Sequence, residues 1–243
     1  MTKKVENQSQ TNPKIGPSVA KLAAHLQFDP IRPELFEEAL THSSYANEHK
    51  VFDNERLEFL GDSVLSLITS SFLFKTYPNL KEGNLAKLKS IIVSTKILAS
   101  FSKQLQLDSY IKLGTGELRH SGKAKPSILE DLFEAFIGAY FLNFGLEQTS
   151  RLVEPLIKDN LTEINRQFNL MNAKNDLQEL FQSKGLFPEY RTVKEEGPSH
   201  QRRFTVEVFL NNQLVGRGEG HSIKEAQNQA ALEALAKFNE KNG

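Results

Sequence analysis

The sequence predicts an all-α N-terminal domain followed by a small α+β domain of order α-β-β-β-α. Three features carry that expectation. From Val19 to about Phe168, apolar residues recur at helical spacing, in segments closed by proline, glycine or asparagine. Further on, Phe204, Val206, Val208 and Leu210 alternate with polar residues, the period of a half-buried strand. Between the two patterns lies Asn169-Leu170-Met171-Asn172-Ala173, a short polar stretch that reads as a linker. The expected division is a disordered tail at 1–16, a helical domain at 17–168, a linker at 169–173 and a second domain at 174–241. The 243 residues suffice for one or two domains with sizeable cores.

In the first domain, Val19, Leu22, Ala23 and Leu26 mark a short amphipathic helix. Pro30 and Pro33 punctuate a turn, and Pro33 opens the helix through Leu40, where its missing N–H costs nothing. Thr41-His42-Ser43-Ser44-Tyr45 reads, by itself, as a polar helix end. A long helix is expected from Asn54 towards Thr76, stopped by Tyr77-Pro78-Asn79. Lys81 to Asn84 is a turn with Asn84 as N-cap, and one helix follows from Leu85 to about Ser102. Its Lys87, Lys89 and Lys96 are either solvated or turned to phosphates. Gly114-Thr115-Gly116-Glu117 reads as a glycine turn and His120 to Lys125 as a flexible basic loop. A helix from Pro126 to Asn143 is broken by Gly145, and a last one reaches about Phe168.

In the second domain, Leu177, Leu180 and Phe181 form the apolar stripe of a helix closed by Lys184-Gly185. Arg191 to Glu195 is the first strand and Gly197-Pro198-Ser199-His200 a turn. Asn211-Asn212 fits a tight hairpin turn before a strand from Leu214 to Gly220. Ser222, with Glu225 three residues on, opens the last helix as a capping box, and Ala226, Ala230, Leu232 and Leu235 pack it on the sheet.

The composition excludes several classes. There is no cysteine, so disulfide partners and thiolate zinc sites are ruled out. The six histidines show no H-E-x-x-H spacing, and none is placed to act as a base. No apolar run approaches the length of a membrane span, and Met1 to Asn12 lacks a signal-peptide core, so a cytoplasmic protein without membrane partners is expected. Thirty basic and thirty acidic residues leave no net charge. A nucleic-acid ligand would then have to be held by local basic groups, neutral hydrogen-bonding groups and metal ions.

Two stretches carry the chemistry. On the helix through Asn54-Glu55-Arg56-Leu57-Glu58-Phe59-Leu60-Gly61-Asp62, Glu55, Glu58 and Asp62 fall within roughly 60° of one another. Leu57, Leu60, Val64, Leu65 and Ile68 lie on the other side as core. Such an acidic face is either solvated or covered by a cation. On the later helix, Asp131 and Glu134 share one side of an apolar segment bearing Leu129, Leu132, Phe133 and Phe136, where surplus acids are costly unless paired or bound to metal. Two core helices bringing acids together would build a hard oxygen site suited to Mg²⁺, with Mn²⁺ a possible substitute. Phe59 lies about 40° from Glu55, away from the core stripe. Either another part of the domain covers it or it anchors an interface.

N-E-R-L-E-F-L-G-D-S-V-L and S-I-L-E-D-L-F-E-A-F-I-G-A, in that order, resemble the signature and second acidic motifs of the ribonuclease III family. The likeness extends from about Val19 to Phe238, in the bacterial arrangement of one nuclease domain followed by one double-stranded-RNA-binding domain. It implies a metal-dependent endoribonuclease of double-stranded RNA, leaving 5′-phosphate and 3′-hydroxyl ends and acting in rRNA and mRNA precursor processing and decay. Glu58, Asp62, Asp131 and Glu134 would be the catalytic metal ligands, with Glu58 and Glu134 between two metals if two are bound. Glu55 would assist substrate placement, and Glu82 and Glu117 match acids near the family's active centre. Gln178, Glu179 and Gln182 would meet one minor groove of the RNA, the His200 loop the next, and Lys224 the phosphates between. Ile223 and Gln227 stand where the family usually has basic residues, which weakens the expected phosphate binding. The resemblance also implies a homodimer with Phe59 inserted in the partner, setting two sites across one duplex and leaving short 3′ overhangs. The rivals are a non-catalytic RNA-binding or ribosomal protein on the same fold, which has no reason to keep a repulsive acid cluster, and an RNA-interference nuclease.

Overall fold

The computed structural model describes residues 16–121, 124–198 and 201–242, in two compact units that meet in sequence at Asn160 and Leu161. Residues 1–15 of the expected tail, and the expected RNA-contacting His200, lie outside the described residues.

The first unit is helical: α1 Pro17–Leu26, α2 Pro33–Ala39, α3 Ser43–His49, α4 Glu55–Thr76, α5 Glu82–Ile92, α6 Thr95–Gln104, α7 Thr115–Ser121 and α8 Pro126–Asp159, with a 3-10 turn at Leu107–Ser109. Pro17, Pro33 and Pro126 each sit in the first turn of their helix. Helix α8 is the spine. Leu132, Phe133, Phe136 and Ile137 are wholly buried, and Phe28, Phe36, Tyr140 and Phe144 gather in an aromatic cluster around Phe136. Gly145 interrupts α8 with φ 76° and ψ 176°, a conformation open to glycine and strained for other residues.

Helix α4 lies against α8 through Leu57, Val64, Leu65, Ile68, Phe72 and Leu73, with Leu60 half-buried. Two glycines set how closely they cross. A Cβ on Gly61 would overlap the Glu134 carbonyl oxygen, and one on Gly138 would overlap that of Leu57 and come within 3.3 Å of the Gly61 nitrogen. By length and composition α4 is apolar enough to cross a membrane, contrary to the expectation that no run approaches that length. Here its apolar side packs in the core.

Several expectations are corrected. The helix expected from Leu85 to Ser102 is two, α5 and α6. Ser94 turns extended (φ −79°, ψ 150°) at the N-cap position of α6, and its hydroxyl donates back to the Ile91 carbonyl of α5 at 2.6 Å rather than to α6. Asn84 is not the N-cap of α5, since Lys81 holds that place. The glycine turn at 114–117 leads directly into α7, and His120 and Ser121 of the expected loop belong to that helix. Thr41 to Tyr45 is a helix start rather than an end, with His42 capping α3.

The second unit consists of α9 Leu161–Gln182, β1 Glu189–Glu196, β2 Arg203–Leu210, β3 Gln213–Gly220 and α10 Ile223–Asn242. The three strands form one antiparallel sheet in sequence order. Residues 169–173, expected as a linker, lie inside α9, where Asn172 and Ala173 are buried. Asn169 lies on the solvated side of that helix, while Asn172 is buried within it. Leu177 and Phe181 pack against Val208, Leu210, Ala230 and Ala234. Gly185, at φ 71°, ends α9. Asn211 and Asn212 turn the hairpin with φ 47° and 62°. The Glu225 N–H donates to Ser222 Oγ at 3.2 Å as the capping motif predicts, while the Glu225 carboxylate accepts from the His221 N–H.

Candidate active site

The α4–α8 crossing builds the site. Glu58 and Asp62 flank Gly61 on α4, and Gly61 touches the backbone of Glu134 on α8. Asp131 stands one turn before Glu134. All four predicted carboxylates are therefore brought to one region by the closeness of two core helices. Glu58, Asp131 and Glu134 are half-buried, and Asp62 is exposed.

Burial and mutual repulsion dominate the electrostatics. Glu134 is pushed up to about 8, first by desolvation and then by the charges of Asp62, Glu130, Glu58 and Asp131. Glu58 is pushed up to about 6 by desolvation, then by Asp131 and Glu55. Asp131 is raised by desolvation and by Glu130, against an opposing pull from His42. Among the described residues, no three His, Asp or Glu side chains converge as a ready-made ion cage. The donor set nonetheless fits a hard divalent cation. It consists of carboxylate oxygens alone, partly stripped of water and repelling one another, and a cation lowers that energy as protons do.

Other predicted residues are placed as follows. Glu55 is exposed in the first turn of α4 and its charge acts on Glu58. Glu82 is exposed in the first turn of α5, and Glu117 pairs with Lys125 at 3.0 Å. Neither is among the charges that raise Glu58 or Glu134. Phe59 is 79% exposed, so nothing in its own unit covers it. It helps line a surface cavity of about 660 Å³ whose apolar wall includes Leu35, Leu57, Leu60 and Leu142. In the second unit, Gln178, Glu179 and Gln182 are exposed on α9, on the side away from Leu177 and Phe181. Lys224 is exposed in the first turn of α10. Gln227 accepts a hydrogen bond from Lys174 at 2.7 Å, so a cation from α9 stands beside the position where α10 lacks one.

Glu130 and His42 were given no role by the sequence reading. Glu130 is i, i+4 with Glu134, a spacing that could have drawn it into the acidic face. His42 comes close enough to Asp131 for its charge to act there, a tertiary proximity with no sequence signal.

Comparison with known proteins follows the same division. Residues 32–161 match the ribonuclease-III-like family and residues 173–238 the double-stranded RNA binding motif. The chain is 46% identical over 205 residues to ribonuclease 3 of Enterococcus faecalis, spanning 83% of this chain and 89% of that protein. It is 46% identical over 209 residues to ribonuclease 3 of Streptococcus gordonii, spanning 84% and 90%. Among solved structures, the ribonuclease III nuclease domain of Campylobacter jejuni, described for flexibility in the region involved in dimer formation, superposes with a TM-score of 0.54 at 39% identity, covering 58% of this chain and 97% of that one.

Proposed function

The chain belongs to the ribonuclease III family, and from that premise we propose that it is a homodimeric endoribonuclease that cuts double-stranded RNA with Mg²⁺ held by Glu58, Asp62, Asp131 and Glu134. One observation carries the reading. The glycine-lined crossing of α4 and α8 brings the half-buried Glu58, Asp131 and Glu134 and the exposed Asp62 to one region, where Glu134 is pushed up to about 8. A fold would shed such repulsion unless a cation used it.

When bound, the divalent ion supplies Lewis acidity at the scissile phosphate and for the departing 3′ oxygen, and Mn²⁺ is a suitable substitute. The chain's own residues do the rest. Glu58 and Glu134, from opposite helices and both raised by burial, would hold such an ion as carboxylates, with Asp131 from the α8 side and Asp62 from the exposed rim. Glu55, exposed one turn before Glu58, assists in placing the substrate. Glu82 and Glu117 are retained as second-tier residues of the active centre. The second unit anchors the duplex with Gln178, Glu179, Gln182 and Lys224, helped by the loop containing His200. Pairing through Phe59 places two sites on one duplex, giving 5′-phosphate, 3′-hydroxyl ends with short 3′ overhangs. Processing of structured precursor RNA in the cytoplasm is the corresponding role.

The test is incubation of the purified protein with a long RNA duplex, with Mg²⁺ and with EDTA, beside Glu134→Gln. Cleavage is expected only with the metal. The variant should bind duplex RNA as the wild type does yet lose cleavage, because it loses one anionic ligand while the groove contacts lie elsewhere. Near wild-type cleavage by Glu134→Gln in Mg²⁺ removes Glu134 from the mechanism.

A further inference from the structure

Several cations of the second unit are neutralised by neighbouring carboxylates. Arg191 pairs with Glu189, Lys194 with Glu196, Arg202 with Glu195 and Lys237 with Glu233. Lys174 on α9 is held differently. Its ammonium donates to the Gln227 amide oxygen of α10 at 2.7 Å and stands over the Tyr190 ring, 5.0 Å from the centroid. An amide oxygen and a ring face orient a cation and leave its charge uncancelled. Resting on the reading that this unit anchors duplex RNA, we propose that Lys174 is a further phosphate-binding residue, with Gln227 and Tyr190 positioning its ammonium.

Its place in the fold supports this. Counted round α9, Lys174, Gln178 and Gln182 fall within roughly 80° of one another. Lys174 lies where that side borders the buried stripe of Leu177 and Phe181, and is itself half-buried. On α10, Gln227 follows Lys224 by one turn. The Lys174–Gln227 bond is therefore the seam between the α9 side expected to meet a minor groove and the α10 end expected to meet phosphates. A duplex lying on both patches passes over this seam, and the edge of a groove is a row of phosphates.

The neutral partner matters. A carboxylate at 227 would hold the ammonium and cancel its charge, and a second lysine would repel it. Glutamine does neither. An ammonium has three N–H donors, of which the Gln227 oxygen takes one, so donors remain for a phosphate oxygen. A side chain already held at both stem and head also loses less rotamer freedom on binding than an extended lysine does.

Three variants of the full chain decide this: Lys174→Gln, Lys174→Arg and the control Lys184→Gln. The measurements are thermal melting and duplex-RNA affinity across a salt series, both in EDTA so that the RNA stays whole. Lys174→Gln should melt like the wild type, because two amides still bond between the helices. It should bind more weakly at low salt, with the slope of log affinity against log salt reduced by about one. Its affinity should then fall about 3–4-fold less than that of the wild type between about 50 and 200 mM salt. Lys174→Arg keeps the charge and should keep the slope. Lys184 stands over Phe238, about 16 Å along α10 from Gln227, and its replacement by glutamine should leave the slope unchanged. A wild-type slope in Lys174→Gln overturns the proposal. If that variant melts lower and loses the same factor of affinity at every salt, Lys174 is only a tie between two helices, which also overturns it. So does an equal fall in slope for Lys184→Gln, since net charge rather than place would then be acting. If a fragment ending near Leu170 binds duplex RNA with the affinity and slope of the full chain, the reading of this unit as the anchor falls and takes the inference with it.

Discussion

Glu134 shows how one side chain couples the site to the whole protein's stability. Its ordinary value is 4.5, and burial together with the surrounding carboxylates pushes it up to about 8. A group raised on folding binds its proton more tightly in the native state, so its contribution to stability is complete below the unfolded value and lost as pH rises through the folded one. Glu58, raised to about 6, adds to the lower part of the same window. In EDTA the melting temperature is therefore expected to fall steadily from about pH 5 to pH 9. Millimolar Mg²⁺ should reverse most of that fall, because the ion replaces the protons and releases them. Glu134→Gln should flatten the EDTA profile, since it has no proton to lose there. Thermal melting across pH, with and without the ion, measures this. An identical slope in the variant would show that the fall originates in other groups.

At the scale of elements, the determining feature is the distance between α4 and α8. Gly61→Ala would drive a methyl group into the Glu134 carbonyl. The expected cost is about 1–3 kcal/mol from overpacking, with a larger proportional loss of cleavage because Glu58 and Asp62 move with the helix. Gly83→Ala in α5, where a Cβ meets nothing within 4 Å, is the matched control and should leave both melting and cleavage close to wild type. The same crossing shows what could be read in the sequence. The acids Glu58, Asp62, Asp131 and Glu134 were legible because helical periodicity puts each pair on one side and the apolar residues opposite. That Gly61 and Gly138 bring the two pairs together was not, since a close approach is a property of two helices and leaves no period in either. The split at Ser94 and the helix through 169–173 escaped for a related reason. The Ser94 hydroxyl turns back on the local Ile91 carbonyl, a choice many helical serines also make, and the polar run continues as helix because Ala173 packs in the core. In the second unit the strands, the Asn211-Asn212 turn and the Ser222 cap were all readable, because local backbone chemistry fixes each of them.

At the scale of the whole molecule, chemistry and RNA anchoring fall to different units. A fragment ending near Leu170 should still cut at low salt and lose activity steeply as salt rises, because it keeps the carboxylates and lacks the backbone contacts of the second unit. Equal affinity and salt slope for fragment and full chain would show that the second unit is not the main anchor. Assembly rests on the outer side of α4. Phe59 is 79% exposed, and Leu67 and Phe74, also exposed, lie within roughly 80° of it around the helix. That apolar stripe runs about 22 Å along α4, away from the core, and the 660 Å³ cavity beside Phe59, walled by Leu35, Leu57, Leu60 and Leu142 with Arg32, Glu38, Glu55 and Arg56 also lining it, is large enough for a phenyl ring. A projecting ring and a receptive hollow on one surface are what a two-fold contact requires, since each copy then gives and receives the same group. A homodimer through this face buries both copies of Phe59 at once. Phe59→Asp places a charge in each hollow and removes an aromatic anchor of the kind worth roughly 2–4 kcal/mol per contact. The expected result is a monomer at micromolar concentration that folds normally, still binds duplex RNA through its second unit, and has largely lost double-strand cleavage. Sedimentation velocity of both proteins, read beside cleavage of a duplex labelled on each strand, decides it. A wild-type protein that sediments as a monomer under conditions where it cuts both strands would contradict the paired arrangement and leave the stripe on α4 to another partner.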